Sequence, residues 1–184
     1  MKLLATDMDG TFLRDDKSYS EEFNDLYKQM LKKDIQFVIA SGNQYEALVC
    51  KFDDDIKDDL YYLCENGTKI VYQGKTLYKK ALKKEDAKEI LDILKQDQEC
   101  MLVVSGDKHA YISKSFENKK DFISLFMKNV QFVESYDDIE DDILKFSIAS
   151  FDDQMEQRIE KIQKQLKPHL KLVTTGNVWF DIFY

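Results

Sequence analysis

Two carboxylates separated by one residue lie near the start of the chain, in Asp7-Met8-Asp9-Gly10-Thr11, directly behind the short run Lys2-Leu3-Leu4-Ala5-Thr6. Carboxylates at i and i+2, on chain that is just leaving a strand, can divide their labour. One is free to attack as a nucleophile while the other, differently placed, handles protons. Gly10 lets the backbone turn sharply away, and Thr11 can cap or hydrogen-bond the loop. A bare Asp-Gly after a strand would be an ordinary turn; the complete pentapeptide behind an apolar run is what points to chemistry. Ser41-Gly42-Asn43 closes a second apolar run, although Ser-Gly alone is more often a turn than a site.

The elements around these residues must place them. Lys2 to Thr6 is read as a buried strand. Ser18 with Glu21 three residues on forms a capping-box pattern, after which Phe23, Leu26, Tyr27, Met30 and Leu31 recur at helical spacing. Ile35 to Ala40 is a second strand, and Tyr45, Leu48, Val49 and Phe52 share one face of a second helix. Leu60 to Cys64 is a third strand, closed by Asn66-Gly67. Strand, helix, strand, helix, strand predicts a parallel sheet with right-handed crossovers, the first half of a doubly wound α/β domain. In such sheets ligands sit beyond the carboxyl ends of the strands, where Asp7 and Asp9 lie.

The pattern changes after Asn66-Gly67. Lys69–Tyr72 and Thr76–Tyr78 read as a hairpin through Gln73-Gly74-Lys75. A helix is expected from about Lys84 to Gln96, paired strands at Met101–Ser105 and Ala110–Ser113, and a short helix around Phe122, Leu125 and Phe126. Leu144, Phe146 and Ile148 alternate with Lys145, Ser147 and Ala149, which predicts an antiparallel sheet with one wet face. Asp152 is expected to cap a helix carrying Met155, Ile159, Ile162 and Leu166, ending before Pro168. A strand at Leu170–Thr174, a turn at Gly176-Asn177 and a last strand at Val178–Phe183 complete a second, α+β domain.

With 184 residues, 43% hydrophobic and 34% charged, the chain has room for one good core or two small ones. A net charge of −8 disfavours nucleic acid and anionic membrane surfaces as partners, while a small phosphorylated substrate stays compatible through a divalent cation. No apolar run is long enough to span a membrane, and nothing resembles a signal peptide. Cys50, Cys64 and Cys100, flanked by apolar residues, are read as buried free thiols, which places the protein in the cytoplasm. The acidic runs Asp53-Asp54-Asp55 and 137–142 lack the spacing of a calcium loop and read as solvated loops or helix starts. His109 and His169 are assigned surface or packing roles, and Trp179 beside Phe180 and Phe183 a place in the core.

Asp7-Met8-Asp9-Gly10-Thr11 resembles the first motif of the haloacid dehalogenase (HAD) superfamily, and Ser41 matches its second motif in kind and position. Glu65-Asn66-Gly67 followed by an α+β insertion is similar to the Cof-type, C2-capped phosphatases. The resemblance implies a Rossmann-like α/β core over 1–81, a cap over 82–175, and a strand over 176–184 that returns to the core. It implies that Asp7 is the nucleophile and forms an aspartyl-phosphate, and that Asp9 protonates the leaving group and later activates water. Magnesium would be held by Asp7 and by the Asp9 carbonyl, and the phosphoryl oxygens by Ser41 and the amides of Met8 and Gly42. The substrate would be a small phosphorylated metabolite such as a sugar phosphate.

Two departures qualify the match. Asn43 stands where the family usually has Arg, and the third and fourth motifs, a Lys and a later Gly-Asp-x-x-Asn-Asp, are not found before Tyr184. A C-terminally truncated member would leave Leu3–Thr6 as an exposed sheet edge, open to self-association or to a partner. The rival readings are a phosphomutase, which returns phosphate to substrate, and a non-catalytic fragment that binds phosphate or a partner.

Overall fold

A computed structural model describes residues 2–97, 99–176 and 178–184, which fall into two compact units, Met1–Lys79 and Lys80–Tyr184.

The first unit is a five-stranded sheet in sequence order: β1 (Lys2–Asp7), β2 (Ile35–Ala40), β3 (Tyr61–Cys64), β4 (Lys69–Tyr72) and β5 (Lys75–Lys79). β1, β2 and β3 are parallel, and β4 and β5 continue the sheet antiparallel as the expected hairpin. The crossovers carry α1 (Phe23–Lys32) and α2 (Tyr45–Val49). Period-two alternation sends Phe37 and Ile39 of β2 and Tyr62 and Cys64 of β3 into one core, where Phe23 and Tyr27 of α1 and Leu48 of α2 meet them. Phe12 is central to the aromatic packing, with ring centroids 4.7 Å from Phe23 and 5.5 Å from Phe37. The Tyr27 hydroxyl donates to the Asp59 carbonyl at 2.7 Å, and burial pushes its pKa far above the usual phenol range.

Three local expectations for this unit are corrected. β1 is not buried: it is an outer strand, with Leu3 64% and Leu4 46% exposed, as the alternative of an open apolar edge anticipated. The capping box does not form, because α1 begins at Phe23, whose amide donates to the Ser20 carbonyl, while the Ser18 hydroxyl donates to Asp16 instead. Phe52 lies beyond the end of α2 but still reaches the core.

The second unit holds α3 (Lys84–Leu94), β6 (Met101–Gly106), β7 (Ala110–Ser113), α4 (Lys120–Ser124), β8 (Val130–Val133), β9 (Ile143–Ala149), α5 (Met155–Gln163), β10 (Lys171–Thr175) and β11 (Trp179–Phe183). Its six strands run in the order β10-β11-β9-β6-β7-β8, antiparallel except for the β7–β8 pair. Ile90, Leu91 and Leu94 of α3 and Ile162 of α5 pack with Leu102, Val104, Phe146, Ile148, Phe180 and Ile182 from one face.

The opposite face is not wet. Met101, Val103, Ala149 and Trp179 form a second core with Ile123 of α4 and the partly buried Phe116 and Phe122. Lys145, predicted to face water, is buried and pairs with Asp181 of β11 at 2.9 Å. The strand expected to return to the core over 176–184 does not do so: β11 lies between β10 and β9 and is wholly part of the second sheet. Asn177 of the predicted Gly176-Asn177 turn lies outside the described residues.

Asp152 does not cap α5, whose first turn follows Gln154. It accepts from the buried Arg158 guanidinium, from the Ser150 hydroxyl at 3.0 Å and from the Gln154 amide at 3.2 Å. His109 bonds Asn129 at 2.8 Å, and His169 reaches the buried Asp86, which also accepts from Lys167 at 2.8 Å and Tyr184 at 2.9 Å. Cys64 and Cys100 are buried free thiols, but Cys50 is exposed. Among the described residues no helix is long and apolar enough to cross a membrane.

Candidate active site

The carboxyl ends of the three parallel strands bring the motifs together. Asp7 is the last residue of β1 and pairs in register with Ala40, the last of β2, and Ala40 pairs with Leu63 of β3. The chain past β1 folds over the Met8 carbonyl, which accepts from the amides of Phe12 at 3.1 Å and Leu13 at 2.8 Å. Gly10, at φ +71°, supplies the left-handed turn. Met8 is buried in the first core, which anchors the loop from below. Asp7 and Asp9 are therefore presented to solvent from one anchored turn, with the Thr11 hydroxyl 3.5 Å from the Asp7 carboxylate.

Ser41 follows β2. Its amide donates to Leu63 at 2.9 Å, and its hydroxyl oxygen accepts from the Asn43 amide at 3.2 Å, which leaves the hydroxyl proton to donate elsewhere. The Asn43 side chain reaches Asp9 Oδ2 at a long 3.4 Å and so links the two motif loops. Beyond β3, Glu65, Asn66 and Gly67 have φ of +50°, +58° and +88°. Consecutive left-handed residues are costly unless the surroundings enforce them. Here the Glu65 amide donates to the Asn43 carbonyl at 3.2 Å and the Asn66 amide to the Ser41 carbonyl at 3.3 Å. Gly42 faces this loop so closely that a Cβ there would sit 2.8 Å from Asn66 Oδ1.

All five predicted site residues, Asp7, Met8, Asp9, Ser41 and Gly42, thus lie at the carboxyl ends of β1 and β2 or on the loops that follow them. Lys17 was missed. Its ammonium is 2.7 Å from Asp9 Oδ1, both side chains being half-exposed. The Asp16-Lys17-Ser18 turn chemistry was a visible signal, but nothing in spacing says where a long side chain will reach. Glu65 and Asn66 carry no predicted site role: Asn66-Gly67 is read as closing a strand, and Glu65-Asn66-Gly67 as part of the Cof-type resemblance.

For a metal, the site offers hard oxygen donors at Asp7 and Asp9, and among the described residues no three His, Cys, Asp or Glu side chains cluster to hold an ion. Carboxylate oxygens of this kind are what magnesium takes, one or two at a time, with substrate phosphate and water completing its shell.

A family model for haloacid dehalogenase-like hydrolases matches residues 4–184. The chain is 32% identical to the 5-amino-6-(5-phospho-D-ribitylamino)uracil phosphatase YbjI of Escherichia coli (strain K12), over 99% of this chain and 68% of that one. Among solved structures, SMU.1108c of Streptococcus mutans UA159 superposes with a TM-score of 0.86 at 28% identity, covering 99% of this chain and 70% of that one. A HAD subclass IIB sugar phosphatase superposes with a TM-score of 0.77 at 14% identity, a likeness of fold, over all of this chain and 70% of its own.

Proposed function

Because the chain belongs to the haloacid dehalogenase-like hydrolases, and is a phosphoric monoester hydrolase by that family resemblance, we propose that it is a magnesium-dependent phosphatase of small phosphorylated metabolites, sugar phosphates among them. The observation that carries this reading is the pair Asp7 and Asp9 on one anchored turn, beside Ser41 at the same sheet edge. The assignment of YbjI to a phosphorylated ribityl compound supports a polyhydroxylated phosphomonoester as substrate. Three free cysteines suit a reducing compartment, so we place the enzyme in the cytoplasm.

Asp7, at the strand end, attacks phosphorus with a carboxylate oxygen and forms an aspartyl-phosphate as the alkoxide departs. Asp9, as the acid, gives that alkoxide its proton; as the carboxylate it then takes one from the water that hydrolyses the intermediate, which returns Asp7 to its carboxylate and Asp9 to its acid form. The Ser41 hydroxyl and the amides of Met8 and Gly42 hold the phosphoryl oxygens, donors fixed before the substrate arrives. Magnesium held by Asp7 and the Asp9 carbonyl would neutralise charge between an anionic nucleophile and an anionic ester.

Asp7→Asn should abolish phosphate release from a sugar phosphate, and chelation followed by added magnesium should remove and restore it in the unaltered protein. Hydrolysis in labelled water should put label into the released phosphate; a mutase would put none there. Wild-type turnover in Asp7→Asn refutes the mechanism.

A further inference from the structure

Lys17 has the left-handed backbone (φ +65°) that residues bearing a Cβ rarely adopt. The loop around it is built to keep it there. The Lys17 amide donates to the Arg14 carbonyl at 2.9 Å, and the Arg14 amide to the Ser18 carbonyl at 2.8 Å. Asp16 accepts from the Ser18 amide at 2.9 Å and hydroxyl at 2.6 Å, bonds that hold its carboxyl below the usual carboxylate range. The Arg14 guanidinium closes the loop on the Ser18 hydroxyl at 3.2 Å and the Tyr19 carbonyl at 2.9 Å. All this bracing ends in one outward contact, the Lys17 ammonium on Asp9 Oδ1 at 2.7 Å.

Asn43 meets the other oxygen of the same carboxylate from the Ser41 loop, at 3.4 Å. An exposed Asp would sample several rotamers; donors from two separate loops, one on each oxygen, select one. An isolated surface ion pair is worth little. A strained backbone outlier at a candidate active site is instead a recognised sign of a functional constraint.

We infer that Lys17 and Asn43 are positioning residues that fix the rotamer of the Asp9 carboxylate for proton transfer. The inference rests on the reading of Asp9 as the acid–base group. If the carboxyl is misaimed, the two steps in which it moves a proton suffer, and kcat/KM reads the first of them, departure of the leaving group. An alkyl phosphate, whose alkoxide must be protonated as it leaves, should be affected; p-nitrophenyl phosphate, whose phenolate leaves unaided, should be spared.

The test measures kcat/KM for both esters. Lys17→Ala should lower the value for the alkyl ester about tenfold and that for the aryl ester less than about twofold, with Lys17→Arg restoring most of the loss. Asn43→Ala should show the same selectivity more weakly. Asp9→Asn should show it more strongly, and Lys17→Ala added to Asp9→Asn should cost nothing further. Equal losses on both esters, or a full additional loss in the Asp9→Asn background, overturn the positioning role and leave the acid–base role standing. An unselective Asp9→Asn overturns the acid–base role itself. The Asp9 χ1 couplings measured by NMR decide independently of turnover. One rotamer in the wild type and averaging in the Lys17→Ala, Asn43→Ala double variant is the expected result; averaging in both refutes the inference.

Discussion

Replacing Lys145 with Met removes one half of an ion pair that water scarcely reaches. Lys145 Nζ lies 2.9 Å from Asp181 Oδ2, across neighbouring strands β9 and β11, with the two side chains only 7% and 4% exposed. At that separation the attraction is about 6 kcal/mol for an effective dielectric constant of about 20. Taking the two charges out of water costs several kcal/mol for each, so the pair as a whole contributes little net stability. Losing one member is different, because Asp181 would keep its desolvation cost without its cation. Lys145→Met should therefore destabilise the second unit by about 3–5 kcal/mol, whereas Lys145→Met with Asp181→Leu should recover to within about 1–2 kcal/mol of the wild type. Trp179, the chain's single tryptophan, is buried in the same unit, so its fluorescence in a urea titration reports this unfolding directly. If Lys145→Met costs less than about 1 kcal/mol, the pair is better solvated than its burial says. If the double variant is no more stable than the single one, the loss comes from packing and the electrostatic reasoning is refuted.

Other consequences are open to measurement. Gly42→Ala puts a Cβ 2.8 Å from Asn66 Oδ1 and should displace that side chain from the Ser41-Gly42 loop, lowering kcat/KM on the order of tenfold with less than about 1 kcal/mol lost in stability; unchanged kinetics would mean that the Asn66 loop takes no part in the site. With a thiol reagent at pH 8, Cys50 should react at once, while Cys64 and Cys100, whose pKa burial raises (Cys100 to about 11), should react only on unfolding; three fast equivalents refute this. Hydrogen bonds from Lys167, His169 and Tyr184 hold the Asp86 carboxyl well below the usual carboxylate range. Its contribution is therefore complete above the unfolded carboxyl pKa of about 3.9 and is lost as pH falls through the depressed folded value. Asp86→Asn should make unfolding less pH-dependent below pH 4 or so, and an acid limb identical to the wild type counts against that network.

Much of the first unit was legible because its signals are local. Apolar runs broken by Asp-Gly, Ser-Gly and Asn-Gly mark the ends of β1, β2 and β3, and parallel pairing puts those ends on one edge, so Asp7, Asp9, Ser41 and Gly42 converge. The start of α1 was misread because Ser18 and Glu21 satisfy a capping pattern that any Asp two residues upstream can outcompete for the serine.

The second unit shows where local pattern runs out. Trp179-Phe180-Asp181-Ile182-Phe183 reads as a buried strand in whichever sheet it joins, and only pairing with β9 and β10 decided which. The alternation in β9 correctly separated two faces, yet it could not reveal that α4 and Trp179 cover the polar one, or that Asp181 arrives to neutralise Lys145. Lys17 reaching Asp9 is the same kind of fact. Composition and periodicity fix what a segment of this chain prefers to be, through its own backbone and side chains. Which segment lies beside it depends on contacts between residues far apart in sequence, and those exist only once the chain has folded.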